Sequence, residues 1–256
     1  MHRPMLQRFT ARIASLLLVA GAAALSACAL GSAEAPDDPN TTDEPGDAAT
    51  PEPEPESPPP DGKVMPGAFN KDVVMWDKHF TAPMAADNIQ RFLDVSPYGN
   101  RTWLATEVID GKPLAEVLEA IGAEFQINPL ILMARMQAEK SAIAATARPA
   151  ASDIDYLLGC GCPDQRSCAP QYKGLANQLR CAARTLRTHF DASVAGTGAW
   201  RKGLAKRTSD NIAVTPGNHS TAALYAYTPW VNNGGNRLVF TVTLKFTQHA
   251  QLQAQH

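Results

Sequence analysis

Residues 130–143 read LILMARMQAEKSAI and place one carboxylate, Glu139, near the end of a mostly apolar run. Asn128 is a good helix N-cap and Pro129 suits the first helical position, so a helix beginning there has a fixed register. Glu139 then lies ten residues past Pro129, about 15 Å along the axis. At 100° per residue it shares a flank with Ile131, Arg135 and Ala142, the edge of a buried face. A carboxyl backed by apolar packing loses hydration, which favours the form that keeps its proton. A general acid for glycoside cleavage needs that property. The plainer reading is structural: a rim ion pair between Glu139 and either Arg135 or Lys140. Composition alone favours the plainer one.

Other chemistries find less support. The six histidines (2, 79, 189, 219, 249, 256) are scattered without an H-E-x-x-H or comparable ligand pair, so a zinc peptidase is disfavoured and no metal or organic cofactor is expected. No G-x-S-x-G elbow or phosphate-cradling glycine loop occurs. Cys160, Cys162, Cys168 and Cys181 follow the spacing C-x-C-x5-C-x12-C, which lacks the paired C-x2-C knuckles of a tetrahedral zinc site. An even set in an exported chain reads instead as two disulfides, leaving no thiol for a cysteine peptidase. Aromatics gather late, at Trp200, Tyr225, Tyr227 and Trp230, where they suit either sugar stacking or a buried cluster.

The elements that position these residues lie in one of three segments. Residues 1–28 carry Arg3, Arg8 and Arg12 before an apolar stretch too short for a comfortable membrane span, ending in LSAC. This resembles a bacterial lipoprotein signal, in which Cys28 becomes the lipidated first residue. Ala29 after it resembles the pattern directed to an outer membrane, so the expected location is the cell envelope, lipid-anchored and facing the periplasm. Residues 29–62 hold ten Asp or Glu, no Lys or Arg, and many prolines. Such a composition predicts a disordered tether with a reach on the order of 100 Å. Residues 63–256 remain as one domain. With the three leader arginines and ten linker acids set aside, 20 basic residues there face 15 acidic, a net charge of +5 that suits an anionic polymer.

Within that domain the periodicity is mainly helical. Leu114, Val117, Leu118 and Ile121 share one stripe, Leu175, Leu179, Ala182, Ala183 and Leu186 another, and STAALYAYTPW reads as a short helix stopped by Pro229. SPYGN and DGKP are turns. RLVFTVTLKF (237–246) alternates apolar and polar residues, which by period alone says strand.

Five stretches taken in order resemble secreted bacterial proteins with a lysozyme-like domain, related to lytic transglycosylases. They are APMAADNIQRFLD (82–94), INPLILMARMQAEKSAI (127–143), GCGCPDQRSC (159–168), YKGLANQLRCAAR (172–184) and TAALYAYTPWVNNGGN (221–236). The resemblance spans nearly all of 63–256 and implies a lysozyme-like helical domain with Glu139 as the catalytic acid. It implies that Gly174 and Gln178 belong to a helix lining the glycan cleft. Thr221, Tyr225, Tyr227 and Pro229 match a stretch whose tyrosine positions acid or substrate, with Tyr225 slightly preferred. It further implies the pairings Cys162–Cys168 and Cys160–Cys181, and a helix rather than a strand over 237–248.

Two departures stand out. Lys140 follows the glutamate where lytic transglycosylases show serine, and Gly-Leu-Met-Gln is missing. Neighbouring residues on a helix diverge by about 100°, so Lys140 is expected to point away from Glu139. The expected function is cleavage of peptidoglycan between N-acetylmuramic acid and N-acetylglucosamine, by anhydro-forming transglycosylation or by hydrolysis. Hydrolysis with two carboxylates would recruit Asp153, Asp155 or Asp164. The alternative is a non-catalytic lipoprotein tying membrane to wall. Expected partners are glycan strands and, through Cys28, a membrane; nucleic acid is not among them, and a monomer is expected.

Overall fold

The computed structural model describes residues 65–163, 166–232 and 234–255; Cys28, the leader, the 29–62 linker and Asp164 lie outside the described residues. The described domain is mainly helical. Its helices are α1 (Asp77–Phe80), α2 (Ala86–Asp94), α3 (Leu114–Phe125), α4 (Pro129–Lys140), α5 (Ala151–Ile154), α6 (Leu175–Val194), α7 (His219–Tyr227) and α8 (Asn236–Gln253). Two antiparallel ribbons of two-residue strands join them, β1 (Val108–Ile109) with β2 (Lys112–Pro113) and β3 (Lys206–Arg207) with β4 (Ala213–Val214).

α4 is the axis of the domain. Every residue from Pro129 to Gln137 is buried, and α3, α6 and α8 all pack on it. Its start is fixed twice over. Asn128 Oδ1 accepts the Leu130 amide at 3.0 Å, while Asn128 Nδ2 donates to the His79 carbonyl at 3.1 Å. The elbow from α3 into α4 requires a glycine: a Cβ on Gly122 would stand 2.7 Å from Pro129 Cγ. Only the last turn of α4 comes to the surface, and it carries Glu139 there.

The C-terminal segment is helical. Its alternation misleads because Val239, Thr241 and Thr243 are β-branched, yet the buried set of α8 is Asn236, Val239, Phe240, Val242, Thr243, Phe246 and Thr247, which repeats at helical spacing. Thr241 and Thr243 hydroxyls donate to carbonyls four residues back, at 2.9 and 2.7 Å, so their polar groups are satisfied inside the helix. Residues 65–80 also join the core, through buried Met65, Val74, Met75 and Phe80, the last stacked on Phe190 of α6 at 5.1 Å.

His79 lies buried between α1 and α8, with Nε2 3.3 Å from Thr247 Oγ1. Burial lowers its pKa to about 4. The unfolded chain therefore takes up a proton first as pH falls. The stability this neutral histidine carries is whole above about pH 6.5 and declines towards pH 4, by roughly 3 kcal/mol in all. Urea unfolding of the His79→Phe variant across that window should show a flatter profile than the parent protein; an unchanged slope would contradict the assignment.

Candidate functional site

Glu139 emerges on the wall of a cleft of about 540 Å³, opposite Tyr156, Gly159, Tyr227 and Trp230. Its side chain is 37% exposed, and Oε1 lies 2.7 Å from Nη2 of Arg135, one helical turn back and only 3% exposed. A carboxylate in the last turn of a helix meets the negative end of the helix dipole, and the buried guanidinium offsets that. Arg135 is itself pinned from the far side: Nη1 donates to Thr228 Oγ1 at 3.0 Å, and the guanidinium lies 4.4 Å from the centre of the Tyr227 ring. Glu139 is thus one of three groups that hold it. The chain then turns sharply at Ser141, left-handed at φ 53°, and Gln137 Oε1 accepts the Ile143 and Ala144 amides to hold that turn.

One cleft wall is the loop after α5. Gln178 on α6 is fully buried, accepts the Leu158 and Cys160 amides at 3.2 and 3.1 Å, and donates to the carbonyls of Cys160 and Tyr172, each at 2.8 Å. The Cys160–Cys181 disulfide ties the same loop to α6, and Cys162–Cys168 closes the small loop at the cleft mouth. Gly159 has φ 66°, and a Cβ there would come within 3.7 Å of Glu139 Oε2. That is an ordinary contact distance, so it is the left-handed backbone that calls for glycine here.

The other wall is the end of α7. The Tyr227 hydroxyl donates to the Leu158 carbonyl at 3.3 Å, joining the two walls, and burial raises its pKa. Beyond it, Asp210 accepts the amides of Val231 and Asn232, at 3.1 and 2.9 Å, and the Thr208 hydroxyl at 2.6 Å. Desolvation pushes the Asp210 pKa up, but these donors outweigh it and the net shift is downward. The clamp behind Trp230 therefore persists until pH falls below the usual carboxylate range.

The residues expected from sequence divide cleanly. Glu139, Tyr227 and Pro229 meet in the cleft. Tyr225 does not: it is fully buried, stacks on Trp200 at 5.2 Å, and burial raises its pKa, so the preference for it over Tyr227 is corrected. A two-residue step along a helix turns a side chain through 200°, which sends one tyrosine inward and the other to the cleft. Gln178 builds the wall from behind rather than lining it, and Thr221 is buried at the other end of α7, accepting the Val74 amide at 2.9 Å. Asp153 is exposed on α5 and Asp155 pairs with Lys173 at 3.3 Å; neither lines the Glu139 cleft. Lys140 also departs from expectation, since it lines the same cleft, although among the described residues it makes no ion pair. Of the late aromatics read as suiting sugar stacking or a buried cluster, Trp230 lies on the cleft and Trp200 is buried, while Tyr156 was missed because nothing local in its stretch marks an aromatic facing solvent.

Among the described residues, no group of His, Cys, Asp and Glu converges as a metal site. No protein-family model matches the chain, and neither curated proteins nor solved structures show significant similarity to it.

Proposed function

We propose that this chain cleaves the glycan strands of peptidoglycan between N-acetylmuramic acid and N-acetylglucosamine, from a lysozyme-like domain anchored to the envelope through a lipid on Cys28. One observation carries the reading. Among the described residues, Glu139 is the single carboxylate on a cleft whose walls present Tyr156, Tyr227 and Trp230, and it sits at the surfacing end of a buried helix. Aromatic faces suit the apolar faces of sugar rings, and Oε2, the oxygen that Arg135 does not pair with, suits the glycosidic oxygen. Three of the stretches that resemble lytic transglycosylases, 127–143, 159–168 and 221–236, contribute residues to this cleft, and a fourth supplies Gln178 behind it.

In this mechanism Glu139 protonates the leaving oxygen as positive charge develops at the muramoyl anomeric carbon. The muramoyl 6-hydroxyl then attacks that carbon. Glu139 takes the hydroxyl proton, leaving an anhydro sugar and a regenerated acid. Tyr227 and Thr228 act as positioning residues through Arg135, which they hold in place.

The Arg135–Glu139 ion pair supports a second reading, a glycan-binding lipoprotein in which Glu139 is only part of the wall. Incubating the full chain with purified peptidoglycan separates the two. Fragments released into solution are the expected result; retention on the insoluble wall with nothing released would leave the binding reading alone.

A further inference from the structure

Lys140 and Glu139 are the only charged residues lining the cleft among the described residues. Glu139 is matched by Arg135 at 2.7 Å behind the wall, whereas Lys140 makes no ion pair among the described residues. Among the described residues the cleft therefore holds an unbalanced positive charge while Glu139 is ionised. Protonation of Glu139 for catalysis makes the surroundings more positive still, because Arg135 then also loses its counter-charge. Lys140 closes the last turn of α4, where the helix dipole favours a cation. Its side chain is exposed, and a lysine stem is long and flexible, so its ammonium is a mobile point charge at the cleft wall. A neutral sugar polymer offers this charge no partner.

We infer that the cleft selects glycan bearing a carboxylate, and that Lys140 is the specificity-determining residue that reads it. The inference rests on the peptidoglycan reading, in which a carboxylate has two sources. It can be the lactyl group of muramic acid stripped of its peptide, or a carboxylate of the attached stem peptide. The recognising chemistry is the same, a lysine ammonium against a carboxylate at a partly solvated rim, worth a few-fold in affinity and weakened by salt.

Sedimentation binding of the full chain tests this with four insoluble probes: intact peptidoglycan, peptidoglycan stripped of stem peptides, peptidoglycan with its carboxyls converted to amides, and chitin. The parent protein should bind intact material about three to five times better at low salt than the amidated form or chitin. Lys140→Gln should lose that margin and bind the amidated form as the parent does, while Lys140→Arg should keep most of it. Preference retained on stripped glycan assigns the lactyl group; preference lost there assigns the stem peptide. Equal binding to free and amidated carboxyls, an unaffected Lys140→Gln, or no glycan binding by the parent would each overturn the inference. Failure of cleavage is read separately, because binding is scored without turnover.

Discussion

Glu139→Gln is expected to lower fragment release from peptidoglycan by about two to four orders of magnitude, the range in which a single general acid–base group contributes. The amide keeps the size of the carboxyl and can still accept from Arg135 Nη2, so the last turn of α4 and both cleft walls should stay in place. It cannot supply the proton to the leaving oxygen. Binding to the insoluble wall should therefore persist while release stops, and circular dichroism should be unchanged. Release by the glutamine variant at the parent rate would remove Glu139 from the mechanism.

The second large effect concerns Gln178, which touches no substrate in this account. Gln178→Leu conserves volume roughly but leaves the Leu158 and Cys160 amides and the Cys160 and Tyr172 carbonyls without their side-chain partner. Buried groups left unpaired cost about 1–3 kcal/mol each, and partial relaxation of the loop should bring the total to roughly 3–5 kcal/mol. Urea unfolding with the disulfides intact would measure it. Because Cys160–Cys181 still tethers the loop, the first sign should be faster hydrogen exchange at the Leu158 and Cys160 amides. Activity should fall with it, since Gly159 and the Tyr227 contact at Leu158 belong to the same wall. A loss under 1 kcal/mol would mean that the loop is held by the disulfide and Tyr227 rather than by the glutamine.

Much of this architecture was legible because local signals and tertiary demands agreed. Asn128 and Pro129 start α4 where cap chemistry requires, and the apolar run after them is long enough to be buried all round. The Arg135–Glu139 pair was readable from i, i+4 spacing alone, since on a helix those positions face each other. Both disulfides join the cysteines that the family resemblance implies, but spacing by itself left the pairing open. The misreadings arise where a side chain's direction depends on distant packing. The hydropathy of LYAY cannot say that Tyr225 meets Trp200 while Tyr227 meets Arg135. Gln178 was placed on the cleft by the resemblance alone, yet its amide matches four backbone groups within the 158–172 stretch that precedes α6. Lys140 was expected to diverge from Glu139 by its 100° step; at the open end of a helix a long side chain can diverge and still share the cleft.

The most direct test of a single carboxylate acting in this cleft is the mass of what the full chain releases from purified peptidoglycan. The account predicts muropeptides one water lighter than hydrolysis products, carrying an anhydro-muramoyl end, and none from Glu139→Gln. Fully hydrated ends would contradict it, because they show that water rather than the muramoyl 6-hydroxyl attacked the anomeric carbon, and an absence of products with binding intact would contradict cleavage itself.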